Sequence, residues 1–210
     1  MKTFLTTFFA WMHRMRYIHR WALMRNTKLE NLQEHSHDVA VLAHALALIR
    51  REYFSEPGQE APDPNACAVY ALFHDGAEII TGDLPMPVKY YSKELHRAYG
   101  LVEERAVDKL CQTLPEELKP WYREYLLPKN DSKEKEELLR IVKMADTLSA
   151  YIKCVDEGSA HNEEFLTAAK TNLEKLEAYH DPALDWFLAH ALPAYRLNLD
   201  ELDREGPTLL

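Results

Sequence analysis

At 210 residues the chain is long enough for one well-buried domain and short for two. Few glycines, no sustained strand alternation and many Leu, Ala, Glu and Lys residues predict an all-α protein, a compact multi-helix bundle. A formal charge of −9 argues against a nucleic-acid-polymer surface, which needs Lys and Arg to neutralise phosphates, but leaves room for a small anion at a local basic site.

The chain opens on an apolar run, Phe4 to Met12, leading into His13, Arg14, Arg16, His19 and Arg20. Two threonines interrupt the run and no small-residue cleavage site follows, so it does not read as a signal peptide. It is too short to span a bilayer. Residues 1–16 are therefore expected to form an amphipathic N-terminal helix, a candidate subunit contact. From Arg14 to Lys28 the segment carries Arg14, Arg16, Arg20, Arg25 and Lys28 and no acidic residue. A solvated basic face is the ordinary reading of such a cluster. Within it Arg20-Trp21 pairs a planar fork suited to phosphate oxygens with a ring able to wall a base or sugar, or to serve as a core aromatic.

Asn31 with Glu34 has the pattern of a capping box and predicts a helix start. His35, Val39, Leu42, Leu46 and Ile49 then follow at helical spacing and make His35 the first member of a buried stripe. His37 and His44 fall off that stripe and are expected at the surface. Ser55 to Asn65 reads as a loop. A central helix is expected from about Ala66 to Thr81, stopped by Gly82.

Near the end of that helix His74, Asp75, Glu78 and Asp83 enter a stretch with no Lys or Arg. Val69, Tyr70, Leu72, Phe73, Ala77, Ile79 and Ile80 make its flanks apolar on nearly all sides, so this helix should cross the core, where charged residues are paired or hold a cation. The spacing lets His74, Asp75 and Glu78 face one small volume. Two other His-Asp pairs, His37-Asp38 and His180-Asp181, lack such surroundings. Asp83-Leu84-Pro85-Met86-Pro87 should leave in a rigid extended turn.

Scaffold helices are predicted over about Ser92–Leu114 and Pro115–Leu126. Asp131 with Glu134 suggests another capping box, opening a helix that Gly158 would stop near Glu157. Its apolar stripe is Leu138, Ile141, Ala145, Leu148, Ile152 and Val155, with Asp146 at the edge as a structural carboxylate or a ligand. One or two further helices should follow Asn162, and the tail 204–210 is expected to be loose. Cys67, Cys111 and Cys154 are widely spaced without a Cys-x-x-Cys pair, which suits reduced thiols of a cytoplasmic protein better than disulfides or a thiolate zinc site.

His35, His74, Asp75 and Asp146 come from three predicted helices. Two imidazoles and two carboxylates form a borderline-to-hard donor set, suited to a divalent transition ion (Co, Mn, Fe, Ni, Cu or Zn) with room left for water and a substrate oxygen. That is the requirement of metal-assisted hydrolysis, and Glu78 is placed to take the water proton. The alternative, a bundle with buried polar residues and no metal, would leave several buried charges unpaired.

The order His35 … His74-Asp75 … Asp146 resembles the signature of the HD-domain metal phosphohydrolases. Arg20-Trp21, Glu34-His35-Ser36, His74-Asp75-Gly76-Ala77-Glu78, Thr81-Gly82-Asp83-Leu84-Pro85 and Lys143-Met144-Ala145-Asp146 further resemble the bacterial 5′-deoxynucleotidase family, over about Tyr17 to Asp203. The resemblance implies one HD-type phosphohydrolase domain that removes phosphate from deoxyribonucleoside 5′-monophosphates by attack of a metal-activated water on phosphorus. It implies metal ligation by His35, His74, Asp75 and Asp146, and catalytic roles for Glu78, Arg20 and Asp83. Arg20 would orient the phosphate, Trp21 would crowd the sugar C2′, and Asp83, Leu84, Pro85 and Met86 would line the substrate site together with His35, Asp75 and Asp146. A threonine is expected where Met86 stands, which touches nucleotide preference more than the reaction. The family forms homodimers. Related HD proteins hydrolyse triphosphates or cyclic nucleotides, and a degenerate domain would bind a nucleotide as a sensor, so these are the competing readings.

Overall fold

Asn31 opens the helix around which the others pack. In the computed structural model, which describes residues 4–55, 61–89 and 91–203 and all their side chains except that of Met86, the Asn31 side chain accepts from the backbone of Gln33 and Glu34. Glu34 reaches back to the Asn31 N–H, completing the predicted capping box of α2, Leu32–Ile49. Val39, Leu42 and Leu46 are buried as the stripe requires, and Ile49 is half-buried. His37 is exposed, whereas His44 is half-buried instead of lying at the surface. A π-helical turn, Arg50–Phe54, extends α2.

Before α2, the first helix is shorter than expected. α1 covers only Phe8–Met12 and passes into a 3-10 turn, His13–Tyr17. Phe8 is buried while Phe4, Leu5 and Phe9 are exposed. Asp63 caps α3, Pro64–Phe73, with proline at its first position, so the predicted loop yields to helix two residues early.

The central helix is not continuous. α3 stops at Phe73, residues 74–77 form turns, and α4 covers only Glu78–Thr81. Gly76 lies where the chain passes against Leu126, and a Cβ there would meet Leu126 Cδ2 at 2.3 Å. Gly82 ends α4 with φ 75°, a conformation natural to glycine. After Gly82 to Pro85 the chain turns back into helix at once, because Met86 and Pro87 start α5, Met86–Lys89, instead of extending the turn.

α6, Lys93–Cys111, and α7, Lys119–Leu126, pack with α1 around Phe8, Val107 and Leu110, the first ending about three residues before the expected Leu114 and the second starting four after the expected Pro115. α8, Lys133–Ser159, is capped by Ser132 rather than Asp131, and it runs through Gly158 to end at Ala160. The left-handed residue beyond it is His161, φ 60°. α9, Leu166–Glu177, follows a 3-10 turn, Glu163–Phe165, and α10, Pro182–His190, is capped by Asp181. A 3-10 turn, Leu192–Arg196, and α11, Leu199–Leu202, complete the described chain, and residues 204–210 with their predicted loose tail lie outside it. Among the described residues there is no strand, only an isolated bridge between His19 and Asn31. Among the described residues no helix is long and apolar enough to cross a membrane.

The main core joins α2, α3, α8, α9 and α10 through Val39, Leu42, Leu46, Tyr70, Ile141, Leu148, Leu176 and Leu184. Fully burying each large aliphatic side chain contributes about 1.5–3 kcal/mol. The three cysteines are buried free thiols, and burial pushes Cys67 up to about 12 and Cys154 up to about 11. A second organiser is polar. Glu157, 1% exposed, accepts from Lys153, from Thr27 N (2.9 Å) and Oγ1 (2.7 Å), and from Asn162 Nδ2 (2.8 Å), tying the loop before α2 to the end of α8. Asp181 receives Arg50 and Arg140 in the same manner beside α10.

Burial opposes ionisation of Glu157, but the hydrogen bonds from Lys153, Thr27 and Asn162 outweigh it and hold the carboxyl below its ordinary 4.5. The stabilisation is therefore fully present above about pH 4.5, the unfolded value, and is lost as pH falls below it. Glu157→Ala strands Lys153 and is expected to cost about 3–5 kcal/mol in urea unfolding at pH 7. The gap between variant and wild type should narrow below pH 4.5; a gap independent of pH contradicts the assignment.

Candidate metal centre and nucleotide pocket

His35 enters from the first turns of α2, His74 and Asp75 from the turn between α3 and α4, and Asp146 from the middle of α8. The break after Phe73 leaves His74 and Asp75 on turning backbone, and His74 Nδ1 lies 2.7 Å from the Ala71 carbonyl. Donation of Nδ1–H to that oxygen leaves Nε2 turned toward Asp75. His35 is fully buried, and its Nδ1 lies 3.2 Å from Ser149 Oγ and 3.5 Å from Glu30 Oε1.

Donor atoms of His35, His74 and Asp75 all lie within 4.8 Å of one another, a group able to hold a metal ion. Asp75 Oδ2 is 3.1 Å from His74 Nε2 and 3.6 Å from His35 Nε2. Asp146 adds Oδ1 at 3.2 Å from His35 Nε2 and 3.9 Å from His74 Nε2, while its Oδ2 takes the Lys143 ammonium at 2.7 Å. Neither Nε2 makes a well-directed hydrogen bond despite full burial of the atom. Two imidazole nitrogens facing carboxylate oxygens at 3.1–3.2 Å without a well-directed hydrogen bond form a donor set that fits a divalent cation.

The electrostatics belong to the cluster as a whole. Burial disfavours the His74 imidazolium, yet Asp75 beside it outweighs burial and pushes the group up to about 9. Burial likewise opposes the Asp75 and Asp146 anions, but the imidazoles, and Lys143 at Asp146, hold both well below the usual carboxylate range. Glu78 is the exception. It is buried with Oε2 unpartnered, and burial followed by the charges of Asp75 and Asp83 pushes it up to about 9. Asp83 is also raised by burial, against the pull of Arg20.

Arg20 and Trp21 arrive on the loop before α2. Arg20 Nη1 is 3.4 Å from Asp75 Oδ2 and its Nε is 3.7 Å from Glu30 Oε2. Burial weakens the guanidinium, but Asp75 and then Glu30 more than restore it. Trp21 packs against Phe165 at 5.4 Å between ring centroids, and its Nε1 donates to Glu30 Oε2 at 2.8 Å. Its φ is 59°, a region costing a non-glycine residue about 1–3 kcal/mol. Leu84 and Pro85 are half-buried on the segment after Gly82, and the side chain of Met86 lies outside the described residues.

The residues picked out from sequence thus divide by position. His35, His74, Asp75 and Asp146 converge, Arg20 touches the cluster, and Glu78 and Asp83 are coupled to it electrostatically. Three neighbours escaped the sequence reading: Glu30, Ser149 and Lys143 as a partner of Asp146. Glu30 precedes an N-cap and lies on no periodic face, so only its long-range partners reveal it. A groove of about 990 Å³ lies behind Glu30, lined by Lys28, Asp38, Ser149, Lys153 and Glu157 among others, and none of the four converging residues lines it.

The sequence profile of the YfbR-like 5′-deoxynucleotidases matches residues 7–195. A 5′-deoxynucleotidase of Pectobacterium atrosepticum is 43% identical over 201 residues, covering 95% of this chain and 97% of that protein. A 5′-deoxynucleotidase of Photorhabdus temperata is 43% identical over 204 residues, covering 97% of this chain and 100% of that protein. Among solved structures, an HD-domain phosphohydrolase of Listeria innocua aligns with a TM-score of 0.75 at 22% identity, covering 95% of this chain and 92% of that one. Fold and sequence agree: the chain belongs to the YfbR-like 5′-deoxynucleotidase family and has the helical HD-domain fold.

Proposed function

We propose that this chain is a 5′-deoxynucleotidase, hydrolysing deoxyribonucleoside 5′-monophosphates to deoxyribonucleosides and phosphate. The observation that carries the reading is the convergence of His35, His74 and Asp75, with two imidazole nitrogens turned toward carboxylates, beside Arg20, in a member of this family. His35, His74, Asp75 and Asp146 would hold a divalent transition ion, one of Co, Mn, Fe, Ni, Cu or Zn. When bound, such an ion supplies positive charge that lowers the pKa of water and neutralises phosphoryl oxygens.

The chain's own residues supply the rest. Arg20 presents a planar fork next to Asp75, suited to turning a phosphate toward the cluster. Glu78, held in a buried site with a free oxygen, takes the proton of the attacking water or relays it once positive charge nearby lowers its pKa. Asp83 keeps negative charge close to Glu78 and Arg20. The Trp21 ring, held by Phe165 and Glu30, would stand against the sugar C2′ and disfavour a ribose hydroxyl, with Leu84, Pro85 and Met86 lining the remaining substrate surface. The whole chain acts as one HD-type domain in this reading. Exposed Phe4, Leu5 and Phe9 support a homodimer contact at the N-terminal segment, and the buried free thiols suit a cytoplasmic protein.

Phosphate release is to be measured with metal-supplemented protein for each deoxynucleoside monophosphate and its ribonucleotide. Hydrolysis of the deoxy series is expected to exceed that of the ribo series, and Trp21→Ala should bring the two together. Asp75→Ala should lower kcat/KM by about 10³-fold, the scale of several kcal/mol of transition-state charge stabilisation. Turnover of triphosphates or cyclic nucleotides with none of monophosphates would replace the proposed substrate.

Stripping metal with a chelator should abolish turnover and restore it on readdition of Mn²⁺ or Co²⁺. The stripped protein should keep its helical circular dichroism, since the apolar core does not include the cluster. Undiminished turnover in metal-stripped protein would refute metal-assisted hydrolysis.

A further inference from the structure

Trp21 and His35 have different parts in the proposed reaction, one facing the sugar and one the metal. A single carboxylate lies between them. Glu30 Oε2 accepts the Trp21 indole N–H at 2.8 Å and stands 3.7 Å from Arg20 Nε, while Oε1 lies 3.5 Å from His35 Nδ1. Its backbone carbonyl also accepts the Arg20 N–H at 3.0 Å. The Glu30 side chain is only 12% exposed.

We propose that Glu30 is a positioning residue that sets the sugar-facing ring and a metal-facing imidazole together. This rests on the proposed 5′-deoxynucleotidase reading and adds a residue to it. Trp21 needs an external restraint because its left-handed backbone is intrinsically unfavourable. Glu30 at the indole and Asn26, whose amide donates to the Trp21 carbonyl at 3.2 Å, provide it. His35 needs Nδ1 protonated so that the Nε2 lone pair faces Asp75, Asp146 and His74. A carboxylate at Nδ1 selects that tautomer and makes Nε2 a stronger donor. Ser149 Oγ also lies within hydrogen-bond distance of Nδ1, at 3.2 Å, but carries no charge.

The test uses the full chain with Glu30→Ala, Glu30→Gln and Ser149→Ala. Three quantities are read: Mn²⁺ affinity of metal-stripped protein by calorimetry, the deoxy-to-ribo ratio of kcat/KM at saturating Mn²⁺, and the Trp21 indole N–H resonance, assigned with Trp21→Phe. Glu30→Ala is expected to weaken Mn²⁺ binding by about 10–100-fold, as loss of a partner behind a ligating imidazole does. It should also cut the deoxy preference about tenfold, the worth of one charge-assisted hydrogen bond, and shift the indole resonance. Glu30→Gln keeps an acceptor for the indole, so it should retain the preference while losing Mn²⁺ affinity. Ser149→Ala should weaken Mn²⁺ binding less than Glu30→Ala does.

A destabilised fold with a merely structural role for Glu30 would lower the active fraction but move neither the ratio nor the affinity of the folded protein. Unchanged affinity and ratio in Glu30→Ala, or loss of one without the other, overturns the proposal. Should Glu30→Ala not fold, Glu30→Gln decides it: unchanged Mn²⁺ affinity overturns the role at His35. If the wild type releases phosphate from no nucleotide, the proposed function fails, while Mn²⁺ affinity and the indole resonance still decide the role of Glu30.

Discussion

Two imidazole nitrogens, on His35 and His74, are buried without a well-directed hydrogen bond, and much of the surrounding structure makes sense as what keeps them that way. A buried unsatisfied donor or acceptor costs about 1–3 kcal/mol, so ordinary folding would turn these rings toward a partner. Each ring is instead tethered at its far nitrogen. The Ala71 carbonyl takes one, and Ser149 with Glu30 takes the other. Asp75 and Asp146 then surround the free nitrogens with negative charge, supplied from different elements. The arrangement draws its donors from α2, α8 and the short turn between α3 and α4.

Much of this was legible before any coordinates. The α2 stripe placed His35 in the core because Val39, Leu42 and Leu46 share its face, and Asn31 with Glu34 marked the helix start through local chemistry alone. The four converging side chains were legible because their residue types are expensive in apolar surroundings. The break between α3 and α4 was not. Residues 66–81 have the apolar content of one helix, and the close approach of Leu126 to Gly76 within the break is a contact across fifty positions that no local pattern shows. Asp131 and Ser132 are adjacent and both suited to capping, so sequence pattern could not choose between them. Gly158 suggested a stop, yet the left-handed residue beyond α8 is His161, leaving the glycine helical. Glu30 was invisible for a different reason: nothing local distinguishes it, and its importance lies in partners brought in by tertiary structure.

The pocket also mixes two kinds of restraint. The imidazoles, with Lys143 at Asp146, hold the Asp75 and Asp146 carboxyls below their usual range, whereas burial, and then the charges of Asp75 and Asp83, pushes Glu78 up. That division gives one compact cluster both charge for holding a cation and a group able to exchange a proton.

The Glu157 junction carries a dynamic consequence. Its carboxylate binds the backbone amides of Thr27 and Lys28 from the last turns of the same helix that supplies Asp146. The Arg20–Asn31 loop has little regular structure of its own, so its order is borrowed from α8. Fraying of α8 at that end would release the two amides to solvent together with the loop, making them one cooperative opening unit for hydrogen exchange. The pocket's substrate side would then be less protected than its metal side, although both hang from one helix.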